Sequence, residues 1–209
     1  MKAYGNTNSQ IVLLQPVDEH DLDMIEQEIK EIEKYVQTSF QLIAYPIKKW
    51  NHELSPWEAP AVFGKEGFGA GANKTLQEIL KCCEDKFKTY ILGGYSLAGL
   101  FALWAAYQTE AFTAIAAASP SVWFPGYIDY MKSHEFRGKA AYLSLGDREE
   151  KTKNPTMSQV GNCIREAHAI LTEKEVKSIL EWNPGNHFKD AELRTAKAFV
   201  WAIQAINEH

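Results

Sequence analysis

Within Gly93-Gly94-Tyr95-Ser96-Leu97-Ala98-Gly99, one serine stands between a strand-like apolar run and a helix-like one. A serine at the tip of a strand-turn-helix is held in a cramped backbone conformation. The residues two before it and two or three after it must be small for strand and helix to approach. Gly94, Ala98 and Gly99 meet that requirement. Glycine is the usual residue where this chain has Ala98, and the steric condition survives the change. The competing reading of such a turn is a phosphate loop, but neither GxGxxG nor GxxxxGK followed by Ser or Thr occurs. The stretch reads as a nucleophile elbow with Ser96 at its tip.

A serine hydroxyl is a poor nucleophile at neutral pH until a base removes its proton, so the reading demands a histidine at another strand end. Six histidines are available. His20 and His168 fall in or beside amphipathic helices, His134 in a polar connection and His209 at the C-terminus. His52 lies in a long loop and could line a pocket. His187 follows the last strand-like run and precedes the last helix, on a loop that Pro184 and Gly185 can bend. It alone is placed as the mechanism needs.

A carboxylate best orients such an imidazole and stabilises it when charged. The stretch Gly146-Asp147-Arg148-Glu149-Glu150 offers Asp147, Glu149 and Glu150. An acidic cluster at a strand end is ordinarily a solvated turn. Its order in the chain, after the serine and before the histidine, is that of a hydrolase with an elbow. Glu149, three residues past Gly146, is favoured, with Asp147 and Glu150 as rivals. Charge developing on a carbonyl oxygen needs preorganised N–H donors. Leu97, directly after the serine, supplies one; topology suggests Val17 for the second, since Pro16 has no N–H to give.

These side chains need strand ends to carry them. Residues 11–17 are a continuous apolar run rich in branched residues, as in a strand buried on both faces. From Asp21, the residues Leu22, Ile25, Ile29, Ile32 and Val36 step by three and four along a helix with one core-facing stripe. Further strands are expected at 40–47, 88–96, 112–122, 140–146 and 176–183. Helices are expected at 75–87, 97–109, 157–174 and 190–207. Strict alternation requires crossover connections, so the expectation is a three-layer α/β sandwich with a mostly parallel six-stranded sheet. In such sheets the chemistry collects at the carboxyl ends of the strands. The stretch from 48 to 73 is too long for a simple connection. Trp50, Trp57 and Trp123 fall in loop-like segments and are candidates for a substrate pocket, a role that buried packing would explain equally well.

Bulk properties narrow the class. The 209 residues, 45% of them hydrophobic, suffice for one domain over 1–209 with a sizeable core. A net charge of -5 argues against a nucleic-acid surface. Three cysteines, two of them adjacent at Cys82 and Cys83, form no disulfide framework and suit a reducing compartment. No signal peptide and no apolar run long enough for a membrane span is visible, so the expected address is the cytoplasm, with no membrane partner. Neither HExxH nor a paired CxxC occurs, and no metal or cofactor is expected.

At "GGYSLAGLFALW", "ASPSVWFPG", "YLSLGDREE" and "PGNHF" the chain resembles the α/β-hydrolase superfamily, and more narrowly the esterase family that includes esterase D-like enzymes and siderophore esterases. The resemblance implies Ser96 as nucleophile, His187 as base, and an acid in the "GDREE" loop, at Glu149 by the family's usual position. Against the full fold, the chain is expected to begin at the third strand, without the leading antiparallel strands or a large cap. The expected activity is hydrolysis of a small carboxylic ester through an acyl-enzyme. A thioesterase or peptidase on the same residues, and a non-catalytic binding protein on the same scaffold, are the alternatives.

Overall fold

The computed structural model describes residues 1–62 and 64–207; His209, among the histidines weighed above, lies outside the described residues. Its sheet has seven strands: β1 (Lys2–Gly5), β2 (Ile11–Val17), β3 (Phe40–Pro46), β4 (Thr89–Tyr95), β5 (Ala114–Ala118), β6 (Ala140–Gly146) and β7 (Lys177–Asn183). Their spatial order is β1-β3-β2-β4-β5-β6-β7. All neighbours pair in parallel except β1, which runs antiparallel to β3 with Lys2 opposite Ala44. The expected six-strand sheet beginning at a third strand is therefore corrected by one leading antiparallel strand. β1 is a short, largely exposed edge of sequence KAYG, so it carries neither apolar alternation nor a buried run.

Helices cover both faces. α1 (Glu19–Tyr35) and α7 (Ala191–Asn207) pack on one side of the sheet. α3 (Ala72–Leu80), α4 (Leu97–Gln108), α5 (Tyr127–Ser133) and α6 (Val160–Glu173) pack on the other, and α2 (Trp50–Glu53) is a single turn in the long connection. α1 begins at a reciprocal cap. Asp18 accepts from the Asp21 N–H at 2.8 Å, and Asp21 accepts from the Asp18 N–H at 3.1 Å. α4 is apolar on every side and correspondingly buried, as its sequence implied.

Two boundaries differ from expectation. The helix expected over 75–87 runs from Ala72 to Leu80. Tight turns follow it, in which Cys82 and Cys83 donate to Ile79 and Leu80, and the Asp85 side chain accepts from the Phe87 N–H. The strand expected over 112–122 is limited to Ala114–Ala118, because Ser119 takes φ 40°, which no strand can follow. That break turns residues 119–124 across the top of the sheet beside Ser96. Among the described residues no helix is long and apolar enough to cross a membrane.

Candidate active site

Three crossover units end at one edge of the sheet. Ser96 directly follows β4, Glu149 lies three residues past β6, and His187 lies four past β7. The chain brings them into one hydrogen-bonded row, with Ser96 Oγ 2.9 Å from His187 Nε2, and His187 Nδ1 2.7 Å from Glu149 Oε2. A carboxylate can only accept, so Nδ1 carries the proton and Nε2 faces the serine as acceptor.

Ser96 sits at φ 56°, ψ -118°, outside the regions open to ordinary L-residues. Three hydrogen bonds hold it there: its N–H donates to Ala118 O, and its carbonyl accepts from the N–H groups of Leu100 and Ser121, each at 3.0 Å. Such strain, about 1–3 kcal/mol, persists only where the surroundings over-determine it. The small neighbours have a direct cause. A Cβ on Gly94 would lie 2.6 Å from the Ala98 Cβ, and one on Gly99 would lie 3.0 Å from the Gly94 carbonyl oxygen. The strand and helix meet too closely for any side chain at Gly94, and at Gly99 a side chain would have to push the strand back by a few tenths of an ångström.

The three competing carboxylates have three separate partners. Glu149 Oε1, on the carboxylate facing His187, also accepts from the Gly146 N–H at 2.7 Å, the Ser119 hydroxyl at 2.9 Å and Arg194 Nη1 at 3.2 Å. Burial by itself pushes this carboxyl up. His187, the Gly146 N–H and the Ser119 hydroxyl outweigh it and hold Glu149 below the ordinary carboxylate value. Asp147 instead accepts from the Gly185 N–H at 2.8 Å, tying the two loops together. Glu150 turns away to pair with Arg165 of α6 at 3.3 Å.

Sequence reasoning passed over Arg194. It is 3% exposed on α7 and donates to Glu149, to the Tyr95 hydroxyl at 3.0 Å and to the Pro184 carbonyl at 3.1 Å. Tyr95, next to Ser96, donates in turn to the His187 carbonyl at 2.8 Å. The available signal was an arginine on the apolar stripe of a helix, where a charge is buried only if paired. Ser119 and Ser121 were likewise missed.

Leu97 is the first residue of α4, where a backbone N–H has no acceptor within the helix. Val17 is corrected. Its carbonyl accepts from the Ile47 N–H beside β3, and in a strand a residue's N–H points to the same side as its C=O. The Val17 N–H therefore faces away from β4 and Ser96. The next residue, Asp18, spends its N–H on the α1 cap.

A cavity of about 480 Å³ opens at Ser96, lined among others by Ser121, Trp123, Leu145, Met157 and Val160. Of the three tryptophans expected at a pocket, only Trp123 lines it. Trp57 packs among Phe124, Tyr127 and Tyr130 with its indole N–H on the Pro125 carbonyl, and Trp50 begins α2 packed against the core. Both follow the packing alternative. A second groove, about 550 Å³, lies between α1, α7 and β7, but neither Ser96 nor His187 lines it.

No protein-family model and no curated relative matches the sequence. Solved structures do match. The siderophore hydrolase EstA from Aspergillus nidulans superposes with a TM-score of 0.69 at 19% identity, over 95% of this chain and 83% of its own. An IroE-like serine hydrolase from Shewanella oneidensis gives 0.71 at 15% identity, over 92% of this chain and 69% of its own. The enterobactin esterase FES from Shigella flexneri gives 0.65 at 14% identity, over 98% of this chain but 55% of its own. At these identities the likeness is one of fold. The chain shares the three-layer α/β fold of hydrolases.

Proposed function

We propose that the protein is a serine hydrolase of carboxylic esters, a single α/β-hydrolase domain without a large cap, working in the cytoplasm on a small molecule. The observation that carries this reading is the row Ser96 Oγ, His187 Nε2, His187 Nδ1, Glu149 Oε2, with separations of 2.9 Å and 2.7 Å across its two hydrogen bonds. The serine hydrolase and esterases that share the fold support it.

In this reading Ser96 Oγ attacks the ester carbonyl carbon as His187 Nε2 takes its proton. The tetrahedral oxyanion lies against the Leu97 N–H. The Ser121 hydroxyl, 3.3 Å from Ser96 Oγ, is the second donor in place of Val17. The C–O bond to the alcohol breaks and the proton passes from His187 to the leaving oxygen. Water then adds to the acyl-enzyme, its proton goes to His187 and on to Ser96, and the carboxylic acid leaves. Glu149 stays ionised throughout and stabilises the transient imidazolium.

A fluorophosphonate probe tests the reading. Ser96 is expected to be labelled in folded protein, and Ser96→Ala and His187→Ala to abolish ester turnover. Unlabelled Ser96, or unchanged turnover in both variants, overturns it.

A further inference from the structure

We infer that the Ser96 cavity is built for an ester that carries a carboxylate on one limb, with Arg148 and Lys151 as the residues that select it. The inference rests on the hydrolase reading above and adds the chemical class of its substrate.

The protein as a whole is acidic, with 27 Asp and Glu against 22 Lys and Arg. The cavity runs the other way. Its ionisable lining consists of Arg148, Lys151, Glu149 and His187. Glu149 is committed to His187 and Arg194 and is 5% exposed, so its charge is neutralised from behind. The two carboxylates that flank these cations in sequence are also engaged elsewhere, Asp147 on the Gly185 N–H and Glu150 on Arg165. Among the described residues, neither Arg148 nor Lys151 has an ion-pair partner.

Their placement is ordered. The Arg148 N–H donates to the Gly185 carbonyl at 3.1 Å and the Lys151 N–H to the Arg148 carbonyl at 3.2 Å. Both cations thus stand on one hydrogen-bonded turn tied to the loop that presents His187. Much of the remaining lining is apolar, from Trp123, Leu145, Met157 and Val160. Arg148 and Lys151 are exposed at the cavity rim, so a carboxylate brought there meets a guanidinium fork and an ammonium beside an apolar wall, in charge-assisted hydrogen bonds that salt screens. A neutral ester of the same shape gains only the apolar contact.

The test compares isosteric pairs that differ only in carboxylate against carboxamide, one pair for each limb. For the alcohol limb they are 4-butanoyloxybenzoate and 4-butanoyloxybenzamide; for the acyl limb, monomethyl adipate and methyl adipamate. The wild type is expected to prefer the carboxylate member of one pair by about tenfold or more in kcat/KM, a preference that shrinks in about 0.5 M NaCl. Arg148→Glu combined with Lys151→Glu is expected to invert it. Fluorophosphonate labelling of Ser96 is measured on the same preparations. Labelled protein that shows no carboxylate preference in either pair, or a preference that persists in the double variant, overturns this inference alone. Absent labelling with no turnover of any pair member overturns the hydrolase reading and this inference with it.

Discussion

Arg194 Nη1 lies 3.2 Å from Glu149 Oε1, on the opposite oxygen of the carboxylate from the one that holds His187, and both side chains are about 95% buried. A buried guanidinium behind the carboxylate does two things. It compensates the carboxylate's burial, and it places a positive charge near the imidazole that the proposed mechanism makes positive.

Titratable and charged groups around the imidazole are Glu149 and, through its loop, Asp147, Arg148, Glu150 and Lys151; Tyr95 from β4; Arg194 from α7; and Lys189 and Asp190 on its own loop. Arg194→Gln is expected to lower kcat, because Glu149 loses the guanidinium that holds its far oxygen, while Arg194→Lys, which keeps a cation there, stays closer to wild type. The same substitution strips a buried pair of one partner and is expected to lower stability by about 3 kcal/mol in denaturant melts. An equal loss of kcat in both variants would mean that Arg194 acts by packing and not by its charge.

Three carboxylates within four residues are expected to differ by their partners alone. Glu149→Ala should lower kcat by about 10³–10⁴-fold, since the imidazole loses its orienting acceptor. Glu150→Ala, which removes only the half-exposed pair with Arg165, should stay near wild type. Asp147→Ala should fall between, because the Gly185 N–H loses its acceptor and the His187 loop loosens. Parallel kinetics of the three variants on one ester check the order.

If the Ser121 hydroxyl is the second oxyanion donor, Ser121→Ala should lower kcat by about 10²-fold with KM nearly unchanged, because the bond strengthens only as the oxyanion forms. A rise in KM alone would assign Ser121 to substrate binding instead.

Beneath the sheet, on the face away from the cavity, Glu28 of α1 is buried against Gln15 of β2, whose amide donates to it at 3.2 Å. Burial, with Asp21 and Glu192 adding to it, pushes the Glu28 carboxyl from 4.5 up to about 8, against the Gln15 hydrogen bond, which lowers it. Gln15 Oε1 and Glu28 Oε1 are both buried without a partner. A protonated Glu28 supplies the O–H that two acceptors lack. A carboxyl raised on folding disfavours the folded state wherever the unfolded chain ionises first. Its penalty is absent below about pH 4.5 and grows as pH rises toward 8, reaching at most about 5 kcal/mol. Glu28→Gln is expected to raise the melting temperature at pH 8 and to leave it almost unchanged at pH 5, as differential scanning calorimetry would show.

The elbow, the parallel strands and the histidine loop were legible in the sequence because each is a local matter. Gly94, Ala98 and Gly99 are small for a reason that acts within six residues, and the buried runs of β2, β4 and β6 carry their own pattern. β1 was not legible, since an exposed four-residue edge strand has no burial to write into its sequence.

What the sequence by itself determined is the set of groups and the strand ends that deliver them, because backbone sterics and hydrophobic periodicity are local. What only the tertiary structure decided is direction. Glu149, Asp147 and Glu150 occupy one turn, and their side chains diverge toward Arg194 and His187, toward the Gly185 N–H, and toward Arg165, partners that are 15 to 45 residues away along the chain. The Val17 N–H was turned from the site by its pairing with β3, and Trp50 and Trp57 were drawn into packing. Hydrogen-bond direction and burial are settled by whichever elements end up adjacent, and no stretch of sequence records that on its own.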